Sequence, residues 1–256
     1  MTIFNQQALI RLQECKHRIE AEVPEKIRDD LWLEGLSPNA WFDKYETSWK
    51  IPNLPDNPLN RSELLNFIRP YRGKKEVDEI TIRKLIVSIF AWGGMRPTPT
   101  WGKLAIDTIE TYEKICLELL RGMPSVSAYE EFYKQKKTGA MRGVGPAYYT
   151  KLIFFFGDQT GLIMDQWTAR SINLLLNAPV IKLTSNKNVD HENSQQVYAS
   201  YLNFISELKT NLSIESVSKT EELIFSCSHA KATVINRLGQ YHDACSAWRK
   251  YVVNNT

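Results

Sequence analysis

Apolar residues recur along the chain with the spacing of helix faces, and period-two alternation barely appears. Leu9, Leu12 and Ile19 mark a first helical segment. Ser37-Pro38 reads as an N-cap followed by proline at the first helical position. After the prolines at 52, 55 and 58, Ser62-Glu-Leu-Leu65 begins a short helix. Asp78 to Trp92 carries Ile82, Leu85, Ile86, Ile89 and Phe90 on one side. One continuous helix is predicted over Trp101 to Arg121, followed by Ser125 to Lys137, Asp165 to Asn177 and Glu192 to Leu212. Ser218-Lys-Thr-Glu221 matches a capping box for one of the last helices. The pattern predicts an all-α protein. The Pro-rich link near 52–58 and the polar stretch Thr184 to Asp190 flank a central block of about 80–180, which holds the segments of chemical interest.

Composition narrows the class. With 256 residues, 43% hydrophobic and 24% charged, the chain is that of an ordinary globular protein. A net charge of +3 permits a nucleic-acid partner without requiring one. Cys15, Cys116, Cys227 and Cys245 lie far apart, so they draw neither an iron–sulfur nor a zinc pattern, and they suit a reducing interior. None of the four histidines has metal-ligand spacing, and no metal site is expected. The first residues are polar and amphipathic, unlike a secretory signal. The longest apolar run, Leu152 to Phe156, is too short to span a bilayer. A monomeric cytoplasmic protein with no membrane association is the expectation.

The stretch Met141-Arg-Gly-Val-Gly-Pro-Ala-Tyr-Tyr-Thr-Lys-Leu-Ile-Phe-Phe-Phe156 joins a basic turn to an apolar helix. Gly143 and Gly145 bracket Val144, which would plug the space beneath the turn. A turn of this kind aims backbone amides outward at a helix N-terminus, where the dipole favours an anion such as phosphate. Lys134, Lys136, Lys137 and Arg142 add positive charge on the approach. The same residues also read as a tight interhelical loop beside a solvated helix end. Asp165, ahead of Gln166-Trp-Thr-Ala-Arg170, reads first as an N-cap.

Met141 to Phe156, together with Gly161-Leu-Ile-Met-Asp-Gln-Trp-Thr-Ala-Arg170, resembles the helix-hairpin-helix DNA glycosylase superfamily. The shared pattern is a G-V-G hairpin, an apolar helix, a loop with glycine, and an Asp about twenty residues on. Arg170 also falls on a recurrent family position. The scattered cysteines fit the compact, cluster-free branch related to 8-oxoguanine DNA glycosylases. The resemblance implies a two-lobed helical fold, with 80–180 as one lobe and 1–79 joined to 181–256 as the other. It also implies a double-stranded DNA partner, gripped by Lys137, Arg142, Gly143, Val144 and Gly145. No cofactor is expected, although the family leaves room for a monovalent cation at the hairpin.

The resemblance makes Asp165 a catalytic carboxylate, beside the positive charge that builds on deoxyribose as the N-glycosidic bond breaks. Bifunctional members carry a nucleophilic lysine two residues after the second hairpin glycine. Ala147 stands there, which favours a monofunctional enzyme using water. Lys151, one turn along the same face, keeps a lyase reading open. A DNA-binding protein without catalysis, using Asp165 only as a cap, is the third reading.

Phe90-Ala-Trp-Gly-Gly-Met-Arg-Pro-Thr-Pro-Thr-Trp-Gly102 is the other unusual stretch. Its Trp92, Met95, Arg96 and Trp101 suit a base pocket or a wedge for a flipped base. The plain alternative is core tryptophans and a Gly-Gly helix stop. Trp167 fits either a pocket lining or packing beneath its helix. The resemblance to the 8-oxoguanine branch implies an oxidised purine as substrate, or, as in compact relatives, a modified base of invading phage DNA.

Overall fold

The computed structural model describes residues 2–28, 35–45, 47, 49–95, 98 and 100–256. In chain order its helices are α1 (Gln6–Glu22), α2 (Glu25–Arg28), α3 (Pro38–Phe42), α4 (Arg61–Ile68), α5 (Glu79–Trp92), α6 (Trp101–Asp107) and α7 (Ile109–Leu120). They continue as α8 (Ser125–Lys137), α9 (Pro146–Phe156), α10 (Gln166–Leu176), α11 (Gln195–Asn211), α12 (Val217–Phe225), α13 (Ala232–Leu238) and α14 (His242–Asn255). The protein is all-α. Among the described residues the one extended pairing is an isolated bridge between Leu183 and Val189. No described helix is long and apolar enough to cross a membrane. The chain divides into two units, residues 33–163 and residues 1–32 with 164–256. Those bounds differ from the 80–180 block outlined by the flanking loops.

The first unit is built on two helices buried on nearly every side. From Leu85 to Trp92 every α5 side chain is buried, as is every α9 side chain from Tyr149 to Phe156. A helix apolar all round belongs in a core rather than on a surface. Helices α3, α4, α7 and α9 pack on α5, and α7 and α8 cover α9. Each buried phenylalanine of the 154–156 run contributes about 2 kcal/mol of burial. Asp78 caps α5 through Thr81 N, and Asn60 with Glu63 forms a capping box on α4. The expected single helix over 101–121 is broken at Thr108, which is turned to another use described below.

In the other unit, α10 packs against α1, α12 and α14. The Trp248 indole N–H donates to Ser171 Oγ (3.0 Å), whose own hydroxyl donates to the Ile224 carbonyl (2.7 Å), tying α14, α10 and α12 together. Helix α12 begins at Val217, and its N-cap is Ser216, two residues before the Ser218 that opens the capping box read from Ser218 to Glu221. Glu221 is therefore inside the helix and buried. All four cysteines are buried free thiols.

Candidate functional site

The turn between α8 and α9 is set by local geometry. Helix α8 ends at Lys137 with Thr138 as its C-cap, and Gly139 follows at φ +75°. The Met141 amide reaches back to the Gln135 carbonyl (3.1 Å), and Met141 and Val144 are buried beneath the turn. Thr108, at the break between α6 and α7, accepts the Arg142 N–H on its hydroxyl (3.2 Å), and Thr111 donates to the Ala140 carbonyl (3.4 Å). Two threonines with no sequence signature therefore clasp the turn.

The two glycines do different work. Gly143 sits at φ +71°, and a Cβ on it would stand 2.3 Å from the Trp101 carbonyl oxygen and 2.6 Å from the Ala105 nitrogen. It is required by strain and by close approach to α6. Gly145 has an ordinary extended backbone as the N-cap of α9, and open space where its Cβ would be. The amides of Gly143, Val144 and Gly145 form no hydrogen bond within the described residues. Arg142 and Lys137 are exposed, whereas Lys134 is engaged by Glu130 and Glu131. Burial lowers the pKa of Lys136.

Lys151 lies inside the first unit at 7% exposure. Its ammonium donates to the Ala147 carbonyl (2.9 Å) and stands 5.2 Å from the Tyr148 ring centre. The amine is thus folded one turn back toward the hairpin. A Cβ on Gly93 would approach Lys151 Cδ to 2.8 Å, so the Gly-Gly that ends α5 also makes room for this side chain. Next to it, Trp92 meets Phe155 edge-on (4.9 Å between centres). Its buried indole nitrogen has no partner among the described residues.

The 92–101 stretch separates into buried and presented residues. A wedge must protrude, and Met95 does not: it is 2% exposed, with its carbonyl held by the Trp41 indole N–H (2.7 Å). Among the described residues of this stretch, Trp101 is the exposed large hydrophobic side chain, at 59% exposure at the start of α6. Arg96 lies outside the described residues. Gly102 gives way to the Tyr45 hydroxyl, and burial pushes the Tyr45 pKa up to about 12.

In the other unit, Asp165 is the N-cap of α10 and is 7% exposed. The Trp167 and Thr168 amides both donate to its Oδ1, at 2.8 and 3.1 Å, so the cap leaves Oδ2 unengaged. Thr168 Oγ1 accepts the Asp165 N–H (3.0 Å), completing a reciprocal capping box. The spacing Asp165-Gln-Trp-Thr168 carried that signal in the sequence. Trp167 is half-buried and carries cationic neighbours. The Arg170 and Arg249 guanidinium groups lie over its ring at 4.7 and 4.5 Å, and Arg249 is anchored on the Phe225 and Ser226 carbonyls. No sequence pattern pointed to Arg249, which lies 82 positions from Trp167 along the chain.

No curated protein and no solved structure matches the chain. A family model does match, over residues 21–225, and its description reads "Putative 8-oxoguanine DNA glycosylase OGG-like protein". The match covers most of the 256 residues, and the chain belongs to this OGG-like family.

Proposed function

We propose that the protein hydrolyses the N-glycosidic bond of a modified or damaged base flipped out of double-stranded DNA. Its setting is base-excision repair or defence against phage DNA that carries modified bases. The observation that carries the reading is the buried Asp165 carboxylate, held by two amides on one oxygen and left with Oδ2 for a developing cation. As the C1′–N bond breaks, its electron pair departs with the base and positive charge grows on the sugar. A fixed carboxylate stabilises that charge and orients water. Water oxygen then bonds C1′, and its proton is passed on as the base nitrogen gains one.

The turn supplies the grip. Gly145 is glycine without crowding or positive φ, and it neighbours unengaged amides at a helix N-terminus, which supports phosphate contact. Arg142 and Lys137 add charge, and Trp101 is the wedge candidate. The unpartnered indole N–H of Trp92 suits an acceptor on a base edge. The test is mass spectrometry of bases released from damaged DNA and from phage DNA with modified bases. Asp165→Asn should fold and bind DNA while base release drops by orders of magnitude; normal release by that variant removes Asp165 from the mechanism.

One observation favours a second reading. Because Lys151 Nζ reaches back to the Ala147 carbonyl, its amine stands near the turn that bears the nucleophile in bifunctional relatives. Borohydride trapping on an abasic duplex separates the two: an adduct lost in Lys151→Ala assigns a lyase step, and no adduct leaves water as the nucleophile.

A further inference from the structure

Behind Asp165 lies a polar chain that the hydrolytic reading does not use. Thr168 is fully buried, and its hydroxyl accepts the Asp165 N–H (3.0 Å) and donates to the Asp165 carbonyl (3.2 Å). The hydroxyl of Tyr201, from the middle of α11, and that of Thr168 share a hydrogen bond. Tyr201 is fully buried and lies beside the buried Glu221 of α12. Burial and the neighbouring carboxylates raise the Tyr201 pKa, which keeps the phenol protonated. A buried hydroxyl costs free energy unless it is paired, so the Tyr201–Thr168 bond resists rearrangement.

We infer that Tyr201 is a positioning residue for Asp165. By holding the Thr168 hydroxyl, it fixes the first turn of α10, whose amides aim the carboxylate. Tyr201 does not touch the substrate. Its effect is confined to the interaction of Asp165 with positive charge on the sugar, so this inference rests on the role proposed for Asp165.

The experiment needs no knowledge of the excised base. One duplex carries a protonated pyrrolidine in place of a single deoxyribose, and a second carries neutral tetrahydrofuran there. The ratio of the two affinities reads the electrostatic work of the carboxylate. The wild-type protein should prefer pyrrolidine, and Asp165→Asn should abolish the preference. Tyr201→Phe removes only the hydroxyl and should cut the preference about three- to ten-fold, with tetrahydrofuran affinity unchanged. It should add nothing in an Asp165→Asn background. If Tyr201→Phe does not fold, Thr168→Val, which removes both the Tyr201 link and the cap bond to the Asp165 N–H, should lose at least as much preference, and an undiminished preference in it overturns the inference. Absence of any preference in the wild type overturns the role of Asp165 itself. A preference lost in Asp165→Asn but intact in Tyr201→Phe, or equal losses on both duplexes, overturns the Tyr201 inference alone.

Discussion

Gly143 and Trp101 meet backbone to backbone: a Cβ on Gly143 would stand 2.3 Å from the Trp101 carbonyl oxygen. This approach docks the turn on the start of α6 and places an exposed indole on the segment the turn leans against. Gly143→Ala must move backbone rather than a flexible side chain, at positive φ. It should destabilise by several kcal/mol, about 2–4, in denaturant unfolding.

Gly145→Ala should behave in the opposite way. Its backbone is ordinary and its Cβ would meet open space, so unfolding should change by less than about 1 kcal/mol. DNA affinity, measured by fluorescence anisotropy at fixed salt, should nevertheless fall, because the methyl occupies the surface offered to phosphate. Unchanged affinity would mean that the strand does not pass over Gly145.

Trp101 and Met95 divide along the same line. Met95→Ala should cost about 2–5 kcal/mol of stability as a buried large-to-small change. Trp101→Ala should leave unfolding within about 0.5 kcal/mol and weaken binding to a duplex with an abasic analogue. A destabilised Trp101→Ala protein would assign the indole to packing.

Gly93→Ala tests the seat of Lys151. The added methyl would crowd Cδ at 2.8 Å and Cε at 3.1 Å, so the amine must leave the Ala147 carbonyl. Stability should fall by about 1–3 kcal/mol. Any borohydride adduct should weaken along with it, whereas a robust adduct in Gly93→Ala would place the reactive amine elsewhere.

Asp78 supplies a pH signature. The Thr81 hydroxyl and amide bonds hold its pKa below the usual 3.8. A depressed carboxylate contributes stability above its unfolded pKa, and that contribution is lost as pH falls through the folded value. Asp78→Ala should therefore cost about 1 kcal/mol at neutral pH. The difference from wild type should shrink below pH 3.8, as followed by thermal unfolding. A constant difference would show that the charge is irrelevant to the cap.

Much of the helical layout was legible because its signals are local. Asp78 and Asp165 cap the helices that follow them, and Ser125–Lys137 runs as its pattern predicts. The resemblance to DNA glycosylases is borne out by the family match. Local signals also misled where a side chain served a distant partner. Thr108 looks like an ordinary helical residue, yet it breaks 101–121 and holds Arg142. Ser218 and Glu221 have the spacing of a capping box, but Ser216 takes that role and Glu221 is buried within α12.

By itself the sequence determined the all-α class, the Gly-Val-Gly turn opening an apolar helix, and an aspartate at the head of the next helix. Those depend on periodicity, backbone freedom and capping, which act within a few residues. Only the tertiary structure decided which glycine yields to neighbouring backbone and which faces open space. It alone buried Met95, presented Trp101, folded Lys151 back on Ala147, laid two arginines over Trp167 and set Tyr201 behind Thr168. Each of these depends on what a distant segment brings into van der Waals or hydrogen-bond range, and no local pattern encodes that proximity.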